Sequence, residues 1–88
     1  MDSQEKDFVT HIIKSIVVHP DEVIVTQTID ELGVLLSINV NVEDMARVIG
    51  RQGQTAKSIR QLLRIIGFKN NKRINMKIID PADVTQNA

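Results

Sequence analysis

Cysteine, tryptophan and tyrosine are absent from this 88-residue chain, and Phe8 and Phe68 are its only aromatic residues. Without cysteine there is no disulfide framework, no thiolate metal site and no thiol redox chemistry. With so few aromatics, stability must rest on aliphatic packing in a single small core. Histidine is confined to His11 and His19, one on a polar helix face and one in a turn before Pro20. No H-E-x-x-H or paired ligand spacing accompanies them, so metal and general-base hydrolase chemistry lacks its residues. The expectation is a protein that is not an enzyme and carries no cofactor, metal or small-molecule substrate. No apolar run approaches the roughly 20 residues that span a bilayer, and the acidic N-terminus does not read as a signal peptide. A cytoplasmic protein without membrane contact is expected.

A further absence is local. The chain is formally neutral overall, yet residues 45–79 contain no aspartate or glutamate. That segment holds nine basic residues (Arg47, Arg51, Lys57, Arg60, Arg64, Lys69, Lys72, Arg73 and Lys77), a charge of +9. Residues 1–44 carry nine acids against two lysines, a charge of −7, and Asp80 and Asp83 add −2. A basic block segregated this completely is the electrostatic footprint of a polyanion site, even in a neutral chain.

At the centre of the block lies Val48-Ile49-Gly50-Arg51-Gln52-Gly53-Gln54-Thr55-Ala56-Lys57-Ser58-Ile59. It reads as the apolar end of one helix, a loop bracketed by two glycines, and the immediate start of another helix. Glycine occurs at about 7% on average, so a bare G-x-x-G means little alone. Here Ala56 and Ile59 continue an apolar helix face directly after it. Glycines let another backbone approach closely, and the following helix points free N–H groups and its positive dipole end at whatever sits there. A phosphodiester backbone fits, and a G-x-x-G loop between two helices is how KH domains clamp about four nucleotides. The loop lacks the Lys-Ser/Thr of a phosphate-hydrolysing P-loop.

Periodicity places the remaining elements. Phe8, Ile12, Ile13, Ile16 and Val17 predict a helix over about Gln4 to Val18, ended by His19-Pro20-Asp21. Val23 to Ile29 and Val34 to Val40 read as an antiparallel hairpin, with Val34, Leu36, Ile38 and Val40 on one face. Asn41 to Ile49 predicts a short helix whose acidic pair, Glu43 and Asp44, suits the dipole at its start. Gln54 to Ile66 predicts the longest helix, with Gly67 as its C-terminal cap. Its core face is Ala56, Ile59, Leu62, Leu63 and Ile66, while Lys57, Arg60 and Arg64 share a stripe about 60° wide. Arg73 to Ile79 predicts a last strand with Ile74, Met76 and Ile78 inward. Residues 1–80 form one domain in this reading and 81–88 a frayed tail. The order α-β-β-α-α-β implies an α+β fold, a three-stranded sheet covered on one face by three helices.

Ile65 lies outside the core stripe beside Leu62, and the two make an apolar edge suited to a dimer interface. The expected RNA-binding set is Ile49, Gly50, Arg51, Gln52, Gly53, Gln54, Lys57, Arg60 and Arg64. A different reading makes the domain a dimerisation module, or a ribosome-associated factor in which RNA contact is secondary.

On these residues the chain resembles the type II KH domains, and specifically the bacterial single-KH proteins of the KhpA (YlqC) type. The resemblance is carried by His19-Pro20-Asp21-Glu22-Val23, Glu43-Asp44-Met45, the Val48 to Gly53 run, Ala56-Lys57-Ser58-Ile59-Arg60 and Ile78-Ile79-Asp80. It implies a mixed sheet and a single-stranded RNA-binding protein, an RNA chaperone that self-associates as a homodimer. It also implies a heterodimer with a KhpB-type RNA-binding protein, the pair influencing cell shape and cell-wall synthesis. Ala46 stands where that family often has glycine, and Gln54 where it often has a basic residue. Alanine is the better helix former, whereas Gln54 removes one phosphate contact.

Overall fold

The helix α1 (Gln4–Ile16) forms on an amphipathic pattern that buries Val9 and Ile13 completely. Phe8, Ile12 and Val17 pack partly against the same core. The computed structural model describes residues 4–79, so the expected tail at 81–88 and positions 1–3 and 80 of the expected domain lie outside the described residues.

A short 3-10 turn at Pro20–Glu22 leads into β1 (Ile24–Asp30), which pairs antiparallel with β2 (Gly33–Asn39). Asp30 faces Gly33 across the turn, and the Leu32 N–H donates to Asp30 Oδ1 at 2.8 Å. β2 alternates as its sequence requires, with Val34, Leu36, Ile38 and then Val40 buried. It is the central strand, since β3 (Ile74–Ile78) pairs parallel to its other edge. A parallel pair needs a long crossover. This one is supplied by a 3-10 turn (Val42–Asp44), α2 (Met45–Ile49), the glycine loop and α3 (Gln54–Lys69). The outcome is the type II KH arrangement, a mixed three-stranded sheet with three helices on one face.

α1 stops at Ile16, two residues short of the expected Val18, and two further helix boundaries depart from the sequence reading for identifiable reasons. α3 runs to Lys69 and does not stop at Ile66. Its C-cap is Asn70, and Asn71 just beyond it takes the left-handed region at φ 57°. The Lys72 N–H donates to the Gly67 carbonyl at 2.8 Å and the Asn71 N–H to Phe68 at 3.3 Å, the paired bonds of a Schellman ending. Gly67 is therefore helical, and its missing Cβ makes room for the Lys72 carbonyl, which a Cβ would meet at 2.5 Å.

The expected helix from Asn41 to Ile49 is split, with only Met45–Ile49 α-helical. Asn41 Oδ1 caps the 3-10 turn by accepting from the Glu43 N–H at 2.8 Å. Asp44 is fully buried and turns its carboxylate away from its own helix. It accepts the Val18 N–H at 2.9 Å and the His19 N–H at 3.0 Å, which lie just beyond the end of α1. Dipole compensation at a helix start therefore does not describe this residue. Burial alone pushes the Asp44 carboxyl up, but the two N–H donors, with His19 and Arg47 nearby, outweigh it and hold its pKa below the ordinary carboxylate value. A lowered native pKa stabilises the fold above the unfolded-state value, and this contribution fades as pH falls through the native one.

Glu5 is the other buried acid among the described residues, paired with Lys72 Nζ at 3.2 Å. Together with Asn70 Nδ2 donating to Gln4 Oε1 at 3.2 Å, it ties the start of α1 to the turn between α3 and β3. The strand boundaries differ from expectation by one residue at every end.

Candidate nucleic-acid interface

α2 buries Val48 completely and leaves Ile49 38% exposed at its last position, directly before the loop. Gly50 follows with φ 80° and ψ 173°, and a Cβ there would stand 2.2 Å from Thr55 Oγ1 and 2.7 Å from the Thr55 nitrogen. No side chain fits, so Gly50 lets the loop fold back against the start of α3. Gln52 and Gly53 then both take left-handed backbone, at φ 56° and φ 75°. The Gly53 N–H closes the turn on the Gly50 carbonyl at 3.1 Å. A Cβ on Gly53 would meet nothing within 4 Å. The space above the second glycine is open, which is what close approach of another backbone needs.

The side chains around that opening are basic or neutral. Arg51, Gln52, Gln54, Lys57, Arg60 and Arg64 are all exposed, and Gln54 Nε2 lies 3.4 Å from Ser58 Oγ. No acid occurs in the first turn of α3, so its dipole is unopposed there. Arg60 and Arg64 stand four residues apart and share one ridge of the helix. That ridge faces β3 across an open groove of about 440 Å³ whose floor includes Leu63, Ile74 and Met76. Arg73 and Asn75 form the far wall. Arg60 Nε donates to the Met76 carbonyl at 3.4 Å, so this guanidinium bridges the groove to the unpaired edge of the strand.

The structure thus gathers Ile49 and residues 50–54 at one end of α3 and ranges Lys57, Arg60 and Arg64 along it. Leu62 and Ile65 sit on another side of the same helix, 45% and 65% exposed. Sequence reasoning missed the second wall. Arg73 and Asn75 read as ordinary outward positions until the topology shows that β3 has a free edge beside α3. It also missed Phe68, which is 87% exposed at the end of the groove. Among the described residues no three His, Cys, Asp or Glu side chains come together as a metal-ion cluster, and no helix is long and apolar enough to cross a membrane.

Comparison with known proteins gives a consistent assignment. The family model described as "KhpA/KhpB, KH domain" matches residues 6–78. The RNA-binding protein KhpA of Listeria monocytogenes is 39% identical over 75 residues, 85% of this chain and 99% of that protein. The protein of the same name from Clostridium acetobutylicum is 42% identical over 74 residues, covering 84% and 99% of the two chains. That of Bacillus subtilis strain 168 is 33% identical over 79 residues, covering 90% and 98%. No solved structure gives a significant match. Glycine loop, mixed sheet and sequence all lead to one conclusion: this chain belongs to the KhpA/KhpB family of KH-domain proteins.

Proposed function

We propose that this protein binds single-stranded RNA, with the phosphate backbone over Gly50–Gly53 and the strand continuing along the groove between α3 and β3. The observation that carries this reading is the open space above Gly53 within a segment, residues 45–79, that has nine cations and no acid. The relatives' names, RNA-binding protein KhpA, support it. Arg51 and Lys57 neutralise phosphates at the loop, Arg64 does so further along, and Ile49 offers an aliphatic wall to a base. The free edge of β3 supplies backbone donors and acceptors to base edges. Clamping by such a site is binding and not catalysis, and it suits an RNA chaperone. The reading extends to a heterodimer with a KhpB-type protein in post-transcriptional control of cell shape and cell-wall synthesis, roles implied by the family resemblance.

Binding of this kind weakens with salt, with a log–log slope of roughly −0.7 per phosphate neutralised on a single strand. Lys57→Ala and Arg64→Ala each lower affinity across sequences and make the slope shallower by about 0.7. Fluorescence anisotropy over a salt series measures both effects. An affinity indifferent to salt contradicts the electrostatic reading.

A second reading, self-association through α3, is favoured by the exposure of Leu62 and Ile65. Three residues apart, they form one apolar ridge that a two-fold axis can set against its own copy. Burying four aliphatic side chains contributes on the order of 6–10 kcal/mol gross at about 25 cal/mol per Å². Association entropy offsets much of this, leaving roughly micromolar affinity. Ile65→Asp yields a folded monomer, because the new charge faces water in the isolated domain. Leu62, expected on the core face, is exposed and outside the core cluster, so Leu62→Asp also separates the subunits and leaves the domain folded. Sedimentation equilibrium at about 100 μM, well above the affinity expected, decides it, and a dimeric Ile65→Asp variant overturns the interface.

A further inference from the structure

One of the chain's two aromatic side chains is in the wrong place for a core residue. Phe8 packs against the core, whereas Phe68 is 87% exposed on the last turn of α3. It follows Arg64 by four residues and Arg60 by eight, so the three side chains stand in a single ridge. The ridge borders the groove whose opposite wall carries Arg73 and Asn75, and among the described residues no acid lines that groove. Lys72 at the same end is already paired with Glu5 at 3.2 Å. Of the described cations lining the groove, that leaves the side chains of Arg64 and Arg73 without a partner, since the Arg60 side chain bonds the Met76 carbonyl. An aromatic face between guanidinium groups matches a nucleotide in both parts, stacking for the base and charge for the phosphate. Phe68 is also 14 residues along α3 from Gln54, about 21 Å at 1.5 Å per residue. That places it at the far end of the helix from the loop that clamps about four nucleotides.

We propose that Phe68 is a stacking platform for one further base of a single-stranded RNA that leaves the glycine loop along the α3–β3 groove. The proposal rests on the RNA-binding reading above and extends its site beyond the loop's own nucleotides. Because every base presents a π face, the platform adds affinity and length dependence with little sequence preference.

The test compares a uridine tetramer with a uridine octamer on the full chain. Phe68→Ala lowers octamer affinity by about 5- to 150-fold, the range of one stacked base, and changes tetramer affinity by less than about twofold. Phe68→Trp restores the octamer affinity. Because the chain has no tryptophan or tyrosine, Trp emission in that variant reports on position 68 alone, and the octamer quenches it. The proposal is overturned if Phe68→Ala binds the octamer like the parent, or if saturating octamer leaves the Trp emission unchanged. A Phe68→Ala protein with normal octamer affinity and a weakened dimer in sedimentation assigns the ring to the Leu62–Ile65 ridge instead. Loop-dependent binding of both oligomers with equal affinity removes the platform alone. A parent protein that binds neither oligomer removes the RNA-binding reading together with it.

Discussion

Replacing Arg51 and Gln52 together by aspartate abolishes RNA binding and leaves the domain folded. Both side chains are exposed on the loop, so neither substitution removes a core contact. Gln52 already sits at φ 56°, and aspartate tolerates left-handed backbone better than glutamine does. Stability should therefore stay within about 0.5 kcal/mol, the usual range for exposed positions. The effect on binding is much larger. The change amounts to three units of charge placed where phosphate approaches, each worth about 1 kcal/mol at 4 Å in water. A loss of about 100-fold or more in affinity follows, since 1.4 kcal/mol is a factor of ten. Circular dichroism and anisotropy on the same preparation measure the two halves of the expectation. Native dichroism with undiminished binding rejects the loop as the site.

The two loop glycines should fail differently when replaced by alanine. Gly50 combines φ 80° and ψ 173° with a Cβ position 2.7 Å from the Thr55 nitrogen, which is backbone and cannot swing aside. Gly50→Ala should cost about 3 kcal/mol or more, strain and steric overlap together. That lowers Tm by roughly 12 °C or more at the 4–8 °C per kcal/mol typical of a domain this size. Gly53→Ala meets only the left-handed backbone penalty of about 1 kcal/mol, because nothing lies within 4 Å of its Cβ. It remains folded, but its methyl group occupies the space the RNA backbone needs, and affinity drops about tenfold. Thermal melts and anisotropy separate the cases. A Gly53→Ala protein that binds as well as the parent shows that the open space is unused.

These contrasts mark how far the sequence could be read. The β2 alternation of Val34, Leu36, Ile38 and Val40 was legible because one face of a strand meets water and the other does not, and the structure buries those four. The loop was legible because paired glycines interrupt an apolar pattern that resumes at Ala56 and Ile59. Residues whose roles depend on a distant partner were not legible. Asp44 and Glu5 look like ordinary acids near helix starts, yet among the described residues they are the two buried charges, serving backbone N–H groups 25 and 26 residues away and a lysine 67 residues away. Gly67 suggested a cap on composition, but close packing under Lys72 explains it better, and the cap falls to Asn70, with Asn71 beyond it in left-handed backbone. The groove wall at Arg73 and Asn75 exists only because β3 lies at a sheet edge next to α3, a fact of topology that no local pattern encodes.

The central claim is that RNA runs over the Gly50–Gly53 loop and along α3 beside β3. Amide chemical-shift mapping on the isotope-labelled protein during titration with a uridine tetramer tests it most directly. The account predicts the largest shifts at residues 50–57, with smaller ones at Arg60, Arg64 and the β3 edge, and little change in the β1–β2 turn. Shifts concentrated on that turn, or on the acidic segment around Asp21 and Glu22, would contradict it.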